Sequence, residues 1–200
     1  MNKDNKIMNN KHNKMKDYKE KLYHRTPFKI ISFLSQYPQK VFYEREIHKI
    51  TKISIGSVNQ TLKLLVELDI VEREKKGNLF LYTLNFGNPL LKHFKIFENL
   101  LLIHELVKKI KPFAYEIVLY GSCSDGTNTA ESDIDIFIKT EEVSKVRKIV
   151  NKYRTTYESI KAVVLDPLEI ASSKKEDAVF YEEVKKGIVL WRGKPKHEKI

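Results

Sequence analysis

Apolar residues along this chain recur first at helical spacing, then in alternating pairs, then in short runs, and the changeovers mark its elements. Leu22, Phe28, Ile31, Phe33 and Leu34 predict a first helix over about Asp17 to Gln36, which Pro27 interrupts or restarts and Tyr37-Pro38 ends. Tyr43 to Ile50 reads as a short second helix burying Ile47 and Ile50. Thr51 to Ile53 then makes the turn, and Ser54 is a suitable N-cap for a third helix running to about Leu68. On that helix Val58, Leu62, Leu65 and Leu68 share the core-facing side. Ile70 to Glu74 and Leu79 to Leu84 flank Lys75-Lys76-Gly77-Asn78, the pattern of a hairpin with a basic tip.

Asn88-Pro89 opens a long helix that runs to about Ile110 and is closed by Pro112. Its apolar residues, among them Leu91, Phe94, Phe97, Ile103, Leu106 and Ile110, cover more than one stripe. Such a helix must bury against more than one neighbour, or against a second copy of the chain. His93 and His104 lie on it as ordinary helix histidines rather than a metal pair. Beyond it, strand and helix patterns alternate. Ile117 to Tyr120 and Ile134 to Ile138 read as strands, Glu141 to Tyr153 as an amphipathic helix, and Tyr157 to Leu165 as a further strand. Pro167 opens a short helix, Glu176 to Lys186 forms a last one capped by Gly187, and Ile188 to Trp191 returns to the sheet. This order predicts an α/β architecture.

Charge divides the chain in the same way. The net charge is +11, and all of the excess lies in residues 1–112, with 22 Lys and Arg against 11 Asp and Glu; residues 113–200 hold 15 of each. Such asymmetry points to two modules, one of them suited to a polyanion. The expected division is a disordered basic tail over 1–16, a basic module over 17–87, a linking helix over 88–112 and a second module over 113–200. No apolar run approaches the ~20 residues that a membrane-crossing helix needs, and the Lys- and Asn-rich start lacks the apolar core of a secretory signal. Cys123 is the single cysteine, which excludes an intrachain disulfide and fits a cytoplasmic location. It reads as an incidental loop thiol, because no histidine lies near it in sequence.

The segment Gly121 to Asp135, G-S-C-S-D-G-T-N-T-A-E-S-D-I-D, carries chemistry that packing does not explain. Asp133 and Asp135 at i and i+2 share one face of a strand, with Ile134 and Phe137 assigned to the other. Two adjacent carboxylates repel unless a cation lies between them. A divalent ion, Mg²⁺ or Mn²⁺, is the economical partner, since Mg²⁺ favours carboxylates together with substrate phosphates. Gly121 permits a tight turn and close approach to a ligand, and Ser122 offers a hydroxyl and an amide at the start of a short helix.

This pattern, G-S-x3-G-x5-S-D-x-D, resembles the signature of the polymerase-beta-like nucleotidyltransferases, most closely their small "minimal" archaeal and bacterial domains. The resemblance rests on Gly121, Ser122, Gly126, Ser132, Asp133 and Asp135. It implies a small mixed sheet and transfer of a nucleoside monophosphate from an NTP, with ATP the first choice, to an acceptor hydroxyl. Gly121, Ser122, Gly126 and Ser132 would form the nucleotide site, and Asp133 and Asp135 would be both catalytic residues and metal ligands. The family carries a third carboxylate on the next strand. Here the middle of that strand reads Lys161-Ala162-Val163-Val164 without an acid, and Glu158 and Asp166 stand at its ends.

The basic module resembles a winged helix-turn-helix domain over the helices and hairpin described, so the expected fold class is α+β followed by α/β. That resemblance implies double-stranded DNA as a partner. Ser57, Asn59, Gln60 and Lys63 make up the polar face of the third helix, with Asn59 and Gln60 reading base edges and Lys75 and Lys76 meeting phosphates. Two functions remain open at this point. One is an enzyme tethered to DNA; the other is a DNA-binding regulator, or the antitoxin-like half of a pair with a helical toxin-like partner, whose second module only senses nucleotide. A homodimer is compatible with either.

Overall fold

The computed structural model describes residues 26–37, 39–154, 160–173 and 177–194. The expected tail, the start of the first helix, Pro38, Glu158 and Glu176 lie outside the described residues. The chain divides into two compact units, Met1–Lys95 and Ile96–Ile200.

In the first unit, α1 spans Thr26–Ser35, and Pro27 falls in its first turn, where a missing N–H costs nothing. A two-residue strand, β1 (Phe42–Tyr43), leads into α2 (Glu44–Thr51). The Tyr43 amide donates to the Glu46 carboxylate at 2.9 Å, satisfying one of the unpaired donors at that helix start. Lys52 closes α2 in the left-handed region. Then comes α3 (Ile55–Glu67), whose first turn is capped by the Ser54 hydroxyl accepting from the Ser57 amide at 3.2 Å. β2 (Val71–Lys76) and β3 (Leu79–Leu84) form a hairpin whose turn is Gly77-Asn78 alone. Lys75 and Lys76 therefore belong to the strand, not to the tip. The three strands lie antiparallel in the order β1-β3-β2.

This unit's core joins Ile30, Ile31 and Leu34 of α1 to Phe42, Ile47, Val58, Leu62, Leu65, Tyr82 and Leu84. Two residues expected inside are not there: Ile50 is 52% exposed and Leu68 is 44% exposed. Each lies at the end of its helix, where the chain is already turning away from the packed side.

The long helix α4 (Pro89–Ile110) gives Leu91 to the first core and Ile103, Leu106 and Ile110 to the second. Leu90 and Phe97 on the same helix stay exposed, so the apolar surface is less fully covered than its breadth suggests. No helix among the described residues is long and apolar enough to cross a membrane.

The second unit is built on a four-stranded mixed sheet in the order β6-β5-β4-β7, with β4 Glu116–Tyr120, β5 Ile134–Lys139, β6 Ile160–Leu165 and β7 Ile188–Arg192. β4 pairs antiparallel with both β5 and β7, and β6 runs parallel to β5. A parallel pair needs a crossover, supplied here by α6 (Val143–Arg154). The helices α5 (Ser122–Asp125), α7 (Pro167–Ser173) and α8 (Ala178–Lys186) complete the unit.

Both faces of the sheet are covered. On one, Ile134, Ile136 and Ile138 of β5 pack with Ile117, Leu119, Val146 and Val150 and with the second half of α4. On the other, Phe137 packs with Val118, Tyr181 and Val184, flanked by Tyr120 and Val163. Phe137 therefore shares the face of Asp135, against the expectation that it turns away with Ile134. Period-two geometry demands this, because 135 and 137 have the same parity. At the chain's closing strand, the Trp191 indole donates to the Ala114 carbonyl at 3.1 Å, and the Lys111 ammonium lies 3.9 Å from its ring centre.

Candidate functional site

The Gly-Ser loop and the carboxylate pair converge at one end of the β4-β5-β6 sheet. Gly121 follows β4 with φ +66° and makes a sharp turn into α5. A Cβ added to it would lie 2.9 Å from Asp135 Oδ2, closer than a real Cβ atom approaches an oxygen, so the carboxylate occupies the space that the missing side chain leaves. Only glycine meets both demands. The Ser124 hydroxyl and amide both donate to the Gly121 carbonyl, at 2.7 and 2.9 Å, holding the turn. Gly126 ends α5 in the left-handed region with φ +76°, and its amide donates to the Ser122 carbonyl. Ser122 is half-buried, and its hydroxyl has no partner among the described residues. The Ser132 hydroxyl accepts from the Thr129 amide at 2.8 Å, closing the loop that leads into β5. Thus Gly126 and Ser132 shape the loop, while Gly121 borders the Asp135 carboxylate and Ser122 follows it at the start of α5.

Two supports do not follow from the motif. Cys123 is buried, and its thiol donates to the Asp133 carbonyl at 3.3 Å, so it ties the loop to the strand entry. Asn99, buried on α4 within an otherwise apolar stretch, donates to the Cys123 carbonyl at 2.9 Å and to Asn128 Oδ1 at 3.1 Å. A lone amide in an apolar helix face is the signal that could have found it.

Across the sheet the register sets Tyr120 opposite Asp135 on one side and Lys161 opposite it on the other. All three side chains face the α8 side. The Lys161 ammonium lies 2.6 Å from Asp133 Oδ2. Asp135 holds its proton more tightly than an ordinary carboxyl, because burial and then the Asp133 charge oppose ionisation. Lys161 acts against this, and Glu183 of α8 adds to it. Tyr120 is pushed up to about 12 by burial, then by Asp135 and Glu183. Glu183 is thus an acid within electrostatic reach of the pair, delivered by a helix whose residue pattern carries no sign of chemistry.

The third carboxylate sought on β6 is not found in place. Lys161 stands opposite Asp135; Asp166 instead accepts from the Leu168 and Glu169 amides at 2.7 and 2.8 Å, capping α7. Among the described residues no three His, Cys, Asp or Glu side chains come close enough to share a metal ion. The pair that is present does fit a single divalent ion completed by ligand oxygens. Two carboxylates crowd one face, and one of them is seated in a cradle that any Cβ would fill.

In the first unit, the residues expected to contact DNA separate into two groups. Gln60, Lys63, Lys75 and Lys76 are exposed. Asn59 instead donates to Glu44 Oε1 at 2.7 Å, and Ser57 is engaged by the Ser54 cap, with 2.8 Å between the hydroxyls. The unit also carries a basic face outside the expected set. Arg45, His48, Lys49 and Lys52 line a shallow cavity of about 510 Å³ with Ile55. Their i, i+3, i+4, i+7 spacing, from α2 into its closing residue, is the sequence signal that marks this face.

A solved structure of a candidate nucleotidyltransferase from Sulfolobus solfataricus is similar to this chain at 20% identity, with a TM-score of 0.34, covering 57% of this chain and 96% of that one. No curated protein matches the sequence. Residues 101–196 match the family described as polymerase beta, nucleotidyltransferase, so the second unit holds a nucleotidyltransferase-family domain.

Proposed function

We propose that the protein transfers a nucleoside monophosphate from an NTP, ATP in the first instance, to an acceptor hydroxyl, and does so attached to double-stranded DNA. The observation that carries the first half is the seating of Asp135 against Gly121, with Asp133 beside it, at the turn that leads into Ser122. Asp133 and Asp135 would hold one Mg²⁺ or Mn²⁺, whose chemistry is to neutralise phosphate charge and align the attacking and leaving oxygens. The chain's own part is orientation. The Gly121 turn lets a phosphate approach the backbone, Ser122 donates to it, and Asn99 and Cys123 keep the loop and the strand entry in register. For DNA, Lys75, Lys76, Arg45, Lys49 and Lys52 would meet phosphates, with Gln60 and Lys63 left to reach base edges.

The test is incubation with each labelled NTP and Mg²⁺, alone and with cell lysate, following pyrophosphate release. Release that disappears in Asp135→Asn supports transfer. A second reading is favoured by Lys161 on Asp133. In it the domain senses nucleotide without turnover, and the protein acts as a DNA-binding regulator, or antitoxin-like protein with a helical toxin-like partner. Mg²⁺-dependent NTP binding with no pyrophosphate released to any acceptor would select it.

A further inference from the structure

Among the described residues, Lys161 is the one cation at the carboxylate pair. The parallel register of β5 and β6 fixes it opposite Asp135, and one of its three N–H groups is directed to Asp133 Oδ2 at 2.6 Å. Its side chain is 65% exposed and that of Asp133 39% exposed, so the pair lies at the open mouth of the site. An exposed ion pair of this kind adds little to fold stability. Its effect is on charge: it places a cation beside two carboxylates, at the sheet position facing Asp135, and among the described residues only Asp133 accepts from that ammonium. Ser122, whose hydroxyl has no partner among the described residues, follows Gly121, against which Asp135 is seated.

We propose that Lys161 is a phosphate-binding residue of the nucleotide site, a resident cation beside the carboxylate pair. The inference rests on the reading of this site as a nucleotide site. The ammonium keeps Asp133 neutralised and donates to a phosphate oxygen of the bound nucleotide, so the site takes a single divalent ion and keeps part of its nucleotide affinity when divalent ions are removed. A lysine is suited to this as a compact point charge on a flexible stem that follows its ligand.

The experiment uses the full chain and a non-hydrolysable ATP analogue, with calorimetric titration in EDTA and then in excess Mn²⁺, and a count of bound Mn²⁺ by electron paramagnetic resonance. Wild type is expected to bind the analogue in EDTA and to hold one Mn²⁺ per chain in the ternary complex. Lys161→Ala should lose about tenfold or more of the EDTA affinity, the scale of one charge-assisted hydrogen bond. Lys161→Arg should retain most of it, and Lys161→Asp should raise the Mn²⁺ count to two. Unchanged EDTA affinity in Lys161→Ala, or two Mn²⁺ in wild type, overturns the proposal while leaving the nucleotide site standing. Absence of analogue binding by wild type both with and without Mn²⁺ overturns the proposal together with the reading on which it rests.

Discussion

Two half-buried carboxylate sites, one in each unit, are solved in opposite ways. In the first unit Glu44 Oε1 accepts from Asn59 at 2.7 Å and from the Tyr82 phenol at 2.8 Å. Burial and then the bond to Glu44 push that phenol up to about 12, so it remains a donor at any ordinary pH. In the second unit Asp133 and Asp135 crowd together, with one exposed ammonium between them and solvent. A carboxylate given neutral, rigid donors is a fastening: it joins the start of α2 to α3 and β3. A pair given too little positive charge invites a ligand, since buried acids that are not fully compensated cost stability in the free protein.

Four sets of substitutions would break or sharpen this contrast. The largest effect is expected at the undercompensated pair. Asp133→Asn or Asp135→Asn should lower Mg²⁺-dependent nucleotide affinity by about 100-fold or more, because removing a direct ligand costs at least what removing its supports does. Circular dichroism should show both variants folded. Affinity that persists in both places the site elsewhere.

Next comes the fastening. Glu44→Ala leaves the Asn59 amide and the Tyr82 hydroxyl without their acceptor and should destabilise the first unit by about 1–3 kcal/mol in urea unfolding. Nucleotide affinity should not move. A change in nucleotide affinity without loss of stability would reverse the roles assigned to the two sites.

A smaller, salt-dependent effect tests the surface around Glu44. Lys75→Ala with Lys76→Ala should weaken duplex binding and lower the salt slope by about 0.9 for each phosphate no longer neutralised. Gln60→Ala should reduce discrimination between duplexes, whereas Asn59→Ala should act through stability, since its amide is held by Glu44. Electrophoretic shifts at several salt concentrations separate these outcomes. No shift at low salt would recast the unit as a protein-binding one.

The smallest effect is on the stability of the ligand-free second unit. The Asp135 carboxyl is raised by burial and by Asp133. The folded chain therefore holds that proton more tightly than the unfolded chain. Its contribution is present below the ordinary carboxylate range and is lost as pH rises through the raised value. Asp135→Asn should thus match wild type in acid and equal or exceed it near neutrality, by no more than about 0.5 kcal/mol. Thermal melts across pH check the sign; a marked loss near neutrality would mean that the charge is structural.

Local signals and long-range register were not equally legible in the sequence. Ser54 at the start of α3, the Gly77-Asn78 turn and the Gly121 turn each declare themselves through side-chain chemistry a few residues wide. Which of Lys161 to Val164 stands opposite Asp135 could not be read there, because a one-residue slip of a strand turns every side chain to the other face. The parallel pairing of β5 with β6 decides for 161, and that register depends on how the two strands and the crossover helix α6 pack together, which no local pattern in either strand declares. Glu183 was hidden for the same reason, since no pattern on α8 says which of its charges turns toward the sheet. Ile50 and Leu68 failed in the other direction. Helical spacing extends the apolar stripe to the last turn, but burial ends where the neighbouring element does.

Trp191, fastened to Ala114 on the last strand of the sheet, is the only tryptophan in the chain. It therefore gives the second unit an optical label of its own, with the Lys111 ammonium against the indole as a built-in perturber of its emission. Indole fluorescence reports whether β7 is docked on β4, while far-ultraviolet ellipticity reports helices in both halves. If the halves melt independently, the two signals will part company on a single temperature ramp, and a nucleotide titration followed by emission will describe the second unit alone.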